Sequence, residues 1–559
     1  MSESACPSKN ESVDLRTESI SFRDIPGQSR LFLDYLYDPS SLAEFYPNAV
    51  SRSDDLIDKV PFVLESYATD RMILCELLER QNASFGCGQE TLDHIELLRE
   101  SDCVAVLTGQ QAGLFTGPLY SIYKALTAIR TASRLREKGV NAVSIFWIAT
   151  EDHDLEEVSN AFAISGNGTL FASKLESPEA ENGKPVGAID LVSNVGDLID
   201  ELMVTLPSTE FSEELKGILS ESYSTTKTFG SSFAKLLTRL LGKYGLIVFD
   251  PMDDGAKKLT ADIFQKAITN SDEIVRSLIE RSRALESVGY HAQVLVEEDY
   301  FPLFWLDDTG IRRSLKRTSD GRFRAGGTRK EFSRDELVEI AATNPEDLSA
   351  GVMLRPVVQD VLFPTICYFG GAAEIAYFAQ NSEVYRILER PITSILPRQS
   401  FTIIEAKYER TMKKYGIAFN DLVDGIERLR PRIVEEVIDP ETPKVFAEAE
   451  EKINTELNRL DQHLSKIDST LAESLAKRRR KIIYHIGALR KKFQRVRIEK
   501  DETINRQMVS MFNSLMPNGA LQERSLNFSV FANRYGTDFI DWIYDSIDVD
   551  ENEHKLMYL

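Results

Sequence analysis

CVAVLTGQQAGLFTGPLYSIYKALTAIRTASRLREKGVNAVSIFWIATEDHD, residues 103–154, runs from a short apolar stretch through a glycine-punctuated loop and an amphipathic stretch to a second apolar run and an acidic turn. Two continuous apolar runs joined by a helix predict a βαβ unit, whose parallel strands are buried on both faces. Open parallel sheets bind ligands beyond the carboxyl ends of their strands. The TGQQ and EDHD segments follow the two runs, so both fall at that edge.

Outward from this unit, VLFPTICYFGGAAEIAYFAQNSEVYRIL at 361–388 repeats the order of apolar run, paired glycines and helix, while GLIVFDP at 245–251 is an apolar run closed by a proline turn. Both predict further strands of the same α/β sheet. Helical spacing of Leu64, Tyr67, Met72, Leu74, Leu77, Leu78, Leu92, Ile95 and Leu98 predicts helices leading into it, and 255–288 is helical again. Short runs broken by Gly, Asn and Pro, such as TLFASKL, VGAID, QVLVEE and YFPLFWLDD, predict two β-rich insertions. The expected division is an N-terminal extension at 1–60, core at 61–155, insertion at 156–230, core at 231–289, insertion at 290–350, core at 351–404, helical arm at 405–516 and a C-terminal segment at 517–559 packing back on the core. In the arm, Ile453, Leu457, Leu460, Leu464, Ile467 and Leu471 alternate spacings of four and three, the seam of a coiled coil. Ile482, Ile486, Leu489, Phe493 and Val496 continue the spacing, which suits an antiparallel hairpin or a pair between subunits.

The 559 residues carry 42% hydrophobic and 28% charged side chains and a formal charge of −22, a globular composition that disfavours nucleic acid, whose affinity rests on Lys and Arg neutralising phosphates. Five scattered cysteines without CxxC spacing indicate neither a disulfide framework nor a zinc site, and suit a reducing cytoplasm. The N-terminal stretch lacks the apolar segment of a secretory signal, and no run approaches the ~18 apolar residues that span a bilayer, so no membrane association is expected.

The loop from Thr108 to Gly117 matches neither GxGxxG nor GxxxxGK[ST]. Gly117 and Pro118 nevertheless fit the start of a helix, where free N–H groups could hold an anion, and Lys124 lies two turns further on. Three acids beside one imidazole, Glu151, Asp152, His153 and Asp154, exceed what helix capping needs; a carboxylate next to His153 would fix its tautomer and raise its basicity, as a general base requires. Oxygen ligands there also suit Mg²⁺ beside a nucleotide. Gly370 and Gly371 precede a helix carrying Glu374, Tyr377 and Gln380, and Glu374, costly if buried alone, should face the cleft or meet Arg355 or Arg398. His291 has no clear assignment, and His94, His463, His485 and His554 read as surface or arm residues.

LTGQQAGLFTGPLYSIYKALTAIR, FWIATEDHDLEEV, LRPVVQDVLFPTICYFGGAAEIAYFAQ, LPRQSFTIIE and PNGALQERSLNF together resemble the bacillithiol biosynthesis cysteine-adding enzyme family, BshC, over nearly the whole chain. The resemblance implies a Rossmann-like core with connecting-peptide insertions, a coiled-coil arm that forms a homodimer, and a ligase joining cysteine to glucosaminyl-malate to give bacillithiol. The core order is also similar to class I aminoacyl-tRNA synthetases, with GPLY where their HIGH signature would stand, which leaves ATP with Mg²⁺ as a candidate cofactor. Amide formation needs donors for a tetrahedral oxyanion and a group to take the amine proton. Gln110, Asp152, His153 and Asp154 are the expected catalytic residues. The expected binding residues are Thr108, Gly109, Gln111, Thr116, Gly117, Tyr120, Lys124, Glu151, Arg355, Gly370, Gly371, Glu374, Tyr377, Gln380 and Arg398, and no metal ligand is expected. A nucleotide-binding transferase for another small amine or thiol, or a noncatalytic ligand-binding scaffold, are the competing readings.

Overall fold

A computed structural model describes residues 15–50, 52–176, 181–191, 195–224, 227–434, 441–500 and 502–559. The described residues form two compact units, one drawn from Met1–Ser165, Phe171–Thr402 and Glu523–Met557, the other from Gly166–Leu170, Ile403–Gln522 and Tyr558–Leu559.

Five strands make the central sheet of the first unit: β1 (Val104–Gln110), β2 (Ala142–Ile148), β3 (Ile247–Phe249), β4 (Thr365–Gly370) and β5 (Ser394–Pro397). Their order is β5-β4-β1-β2-β3 and every pair is parallel. The apolar runs behave as sequence predicts, β2 being buried along its whole length. Helix α1 (Tyr120–Glu137) crosses from β1 to β2, and its small Ala128 and Ala132, with Leu135 one turn on, pack among Val104, Val106 and Ile366. After β3 the chain returns to the other side of β1 to lay down β4. The strand order therefore reverses beside β1, and a crevice opens there at the carboxyl ends of β1 and β4.

The insertions differ from each other. Residues 303–350 hold an antiparallel sheet in the order Glu331–Phe332, Phe323–Ala325, Arg312–Arg317, Leu303–Leu306, Leu348–Ala350. Among the described residues of 156–230, by contrast, strand is confined to Asn160–Ile164 and Leu170–Lys174, and the helices α2 (Val195–Thr205) and Ser212–Ser222 follow. VGDLIDELMVT buries Val195, Leu198, Ile199 and Leu202, a helical spacing that the neighbouring turn residues obscured. QVLVEE forms no strand: the Gln380 side chain takes both backbone groups of Val294, accepting from its N–H and donating to its carbonyl at 2.9 Å each.

The second unit contains the helices α4 (Thr442–Ile467) and α5 (Ser469–Lys500), joined by a turn in which the Asp468 carboxylate accepts from the Thr470 N–H and hydroxyl, both at 2.8 Å. Arg479 reaches back to Asn454 and Asn458 at 2.8 and 2.7 Å, and the rings of Phe446 and Phe493 lie 6.2 Å apart. The pair is thus an antiparallel hairpin within one chain.

Candidate active site

Beyond the carboxyl ends of β1, β2 and β4, within the first unit, lies a cavity of about 580 Å³. Its floor is set by close backbone approach: a Cβ on Gly109 would stand 2.7 Å from the Trp147 carbonyl of the adjacent strand, so only glycine fits. The Gly109 carbonyl accepts from Lys124 Nζ at 2.9 Å, and the same ammonium donates to Gln110 Oε1 at 2.8 Å and forms an ion pair with Glu374. Glu374 opens the helix α3 (Ala372–Ile387), where it also accepts from Tyr368 Oη at 2.6 Å and the Gly371 N–H at 2.8 Å. Burial alone would raise the Glu374 pKa, but Lys124, Tyr368 and Gly371 outweigh it and hold the carboxyl below its ordinary range.

One cluster of side chains in the cavity is acidic. Gln111 Nε2 bridges the carboxylates of Asp152 and Glu157 at 2.7 and 2.8 Å, while Glu151 pairs with the buried Lys257. His153 lies beside them, but not as sequence suggests. Asp152 Oδ1 stands 3.7 Å from Nδ1, beyond hydrogen-bond reach, and Arg312 Nη1 is closer at 3.3 Å. A guanidinium can only donate, so Nδ1 accepts and the ring proton sits on Nε2. Burial and the Arg312 charge lower the His153 pKa against the pull of Asp152 and Asp154, which makes the ring a neutral donor rather than a strengthened base.

A second cluster is cationic and aromatic. Arg355 stacks between Trp147 and Tyr368, 5.9 and 5.1 Å from their ring centroids, and donates to Tyr377 Oη at 3.0 Å. Arg398 holds Glu523 through two parallel bonds of 2.7 and 3.0 Å and lies 5.3 Å from the Tyr120 ring centroid. Behind them, Ser400 Oγ bonds Glu523 Oε1 at 2.8 Å and His554 Nδ1 at 2.7 Å. His554, expected at the surface, is fully buried because the C-terminal strand His554–Tyr558 draws it inward.

Of the residues singled out from sequence, Gly109, Gln110, Gln111, Tyr120, Lys124, Glu151, Asp152, His153, Arg355, Gly371, Glu374, Tyr377 and Arg398 line this one cavity. Six do not. Thr108 Oγ1 is buried and donates to the Phe369 carbonyl at 2.9 Å, and Gly370 belongs to β4, its carbonyl taken by the Arg398 N–H. Asp154 caps the short helix Leu155–Val158 by accepting from the Glu157 N–H. Gln380 is committed to Val294 and Ser282. Thr116 and Gly117 belong to a tight loop in which Phe115, Thr116 and Gly117 all have positive φ. Asn527 Nδ2 holds that loop through the Phe115 and Gly117 carbonyls, and the Leu119 N–H at the helix start donates to the Leu526 carbonyl. That helix start therefore offers no phosphate cradle.

Sequence reasoning missed Trp147, Phe304, Arg312, Tyr368 and Arg524. Phe304 and Arg312 come from the inserted sheet, with Arg312 3.7 Å from the Phe304 ring centroid, and nothing in a local pattern ties an insertion to the sheet edge. Trp147 and Tyr368 read as buried strand residues. Arg524 follows Glu523 in a segment whose only signal is the family resemblance.

The chain matches the family models "Bacillithiol biosynthesis BshC, N-terminal Rossmann-like domain" over residues 15–399 and "Bacillithiol biosynthesis BshC, C-terminal coiled-coil domain" over residues 401–559. Three relatives, each bearing the name "Putative cysteine ligase BshC", align over nearly their full length. The Koribacter versatilis protein is 34% identical over 95% of this chain and 97% of its own, that of Salinibacter ruber 32% over 99% and 100%, and that of Solibacter usitatus 33% over 96% and 98%.

Proposed function

Since the chain belongs to the bacillithiol biosynthesis BshC family, we propose that it is a cysteine ligase that joins the carboxyl carbon of cysteine to the amine of glucosaminyl-malate in the cavity beyond β1, β2 and β4. The observation that supports this site most is its charge content: one cavity is lined both by Asp152 and Glu157 and by Arg355, Arg398 and Arg524. An amine and carboxylates are what the two substrates bring. Asp152 and Glu157 attract the acceptor amine and lie where its proton must go once the C–N bond forms. The Nε2–H of His153 and the Nε2 amide of Gln110, 3.3 Å from Tyr120 Oη, are donors for the oxygen that gains charge as the amine attacks. Lys124 and Glu374 hold Gln110 and the start of α3 at fixed spacing around that point.

The carboxyl of cysteine must be activated before an amine displaces its oxygen. ATP with Mg²⁺ is the proposed source of that activation, although the helix start at Gly117 does not fit phosphate and Glu151 is already paired with Lys257. Among the described residues no group of three or more His, Cys, Asp or Glu is placed to hold a metal, and no helix is long and apolar enough to cross a membrane. Leu460, Ile467, Leu471, Ile482 and Leu489 of the arm stay exposed in the single chain, which supports a homodimer through that hairpin, and the free Cys75, Cys87, Cys103 and Cys367 suit a reducing cytoplasm. The test is incubation with glucosaminyl-malate and cysteine, with and without ATP and Mg²⁺, followed by mass analysis. Bacillithiol in at least one condition is expected; its absence in all of them would contradict the proposal.

A further inference from the structure

Five cations line the cavity, and their partners divide them. Lys124 is neutralised by Glu374 and Arg398 by Glu523, and Arg312 lies 4.0 Å from Asp152. Arg355 and Arg524 have no such partner. Arg355 donates only to neutral groups, Tyr377 Oη and Gln359 Oε1 at 2.9 Å, and pairs with no carboxylate among the described residues. The Arg524 guanidinium makes no hydrogen bond or ion pair with any described residue, although it faces the cavity next to the Arg398 and Glu523 pair. Both guanidinium groups line one partly enclosed cleft with no carboxylate bonded to them, Arg524 is further repelled by Arg398, and a ligand of charge −2 satisfies both. Guanidinium groups take planar carboxylates through two parallel bonds, which gives orientation as well as attraction.

We infer that Arg355 and Arg524 form a subsite that reads a dicarboxylate. The inference rests on the ligase reading for the ligand's identity: the dicarboxylate is the malate end of the acceptor, and Arg355 and Arg524 set specificity for the acceptor and not for cysteine. With malate held there, the glucosamine amine is left for Asp152 and Glu157.

Binding of free ligands separates this inference from the chemistry. L-malate, the monocarboxylate L-lactate and inorganic phosphate are titrated calorimetrically at constant ionic strength into wild type, Arg524→Gln, Arg524→Lys and Arg355→Gln. Malate is expected to bind wild type more tightly than lactate or phosphate and to weaken about 10- to 100-fold in each Gln variant, the loss typical of a charge-assisted bond, with part of the affinity kept by Arg524→Lys. Arg524 has no protein partner to lose, so its variants should fold even where Arg355→Gln does not. Unchanged malate affinity in Arg524→Gln, no malate binding to wild type, or phosphate binding as tightly as malate overturns the inference. Since no turnover is needed, failure of the ligase assay leaves these results readable. Where turnover is seen, Arg524→Gln should raise KM for glucosaminyl-malate with little change in kcat or in KM for cysteine.

Discussion

Lys124 and Glu374 meet although one lies on the helix after β1 and the other on the helix after β4, and their side chains are 3% and 18% exposed. Removing one partner of such a pair leaves the other charge uncompensated, so Lys124→Met should lower stability by about 3 kcal/mol in chemical denaturation. A second residue-scale prediction concerns acid. Burial lowers the His554 pKa from 6.5 to about 4, so between those values the unfolded chain binds a proton that the native chain refuses. Stability is then complete above pH 6.5 and falls as pH drops toward 4, by about 3 kcal/mol in all. His554→Gln should flatten that slope in denaturation curves measured across pH 4–7; an unchanged slope would assign the acid loss to other groups. Sequence showed that Glu374 needed a partner, since a carboxylate among Ala, Ile, Tyr and Phe is costly. It could not rank Lys124 above Arg355 or Arg398, because that choice depends on which helices flank the crevice. That His153 stands at the strand end was legible, but not its contact with Arg312, which comes from an insertion far along the chain.

At the scale of elements, the strands and helices of the core were legible because fully buried parallel strands and long amphipathic helices leave strong periodic signals. The insertions were harder. Short segments such as Val195–Thr205 are bounded by the same turn residues that bound strands, and QVLVEE is held by one side chain in place of a neighbouring strand. The arm was legible as paired helices, though not whether they pair within one chain or between two, and the seam of the hairpin is only partly covered: Leu460 and Leu489 are 45% and 58% exposed. If a second copy covers them, Leu460→Glu combined with Leu489→Glu should shift sedimentation from dimer to monomer while helical circular dichroism is kept. An unchanged association state in the double variant would place any self-association elsewhere.

For the molecule as a whole, the sheet order puts three strand ends around one crevice, and the chain brings residues from β1, β2, β4, the inserted sheet and the segment after the arm to its walls. Local patterns marked the strand ends, whereas the contributions of Arg312 and Arg524 arise only when distant segments converge. Amide formation is assigned to this cavity. Its most direct test is single-turnover product formation from cysteine and glucosaminyl-malate by wild type, Asp152→Asn, Glu374→Gln and the cap variant Asp154→Ala, each first shown to be folded. Asp152→Asn should slow the reaction by about 100-fold or more, in the range seen when a positioned acid–base group is lost, Glu374→Gln should slow it by about 100-fold because Lys124 no longer fixes Gln110, and Asp154→Ala should stay within about threefold of wild type. Wild-type rates in both Asp152→Asn and Glu374→Gln would contradict the account and move the chemistry to another part of the molecule.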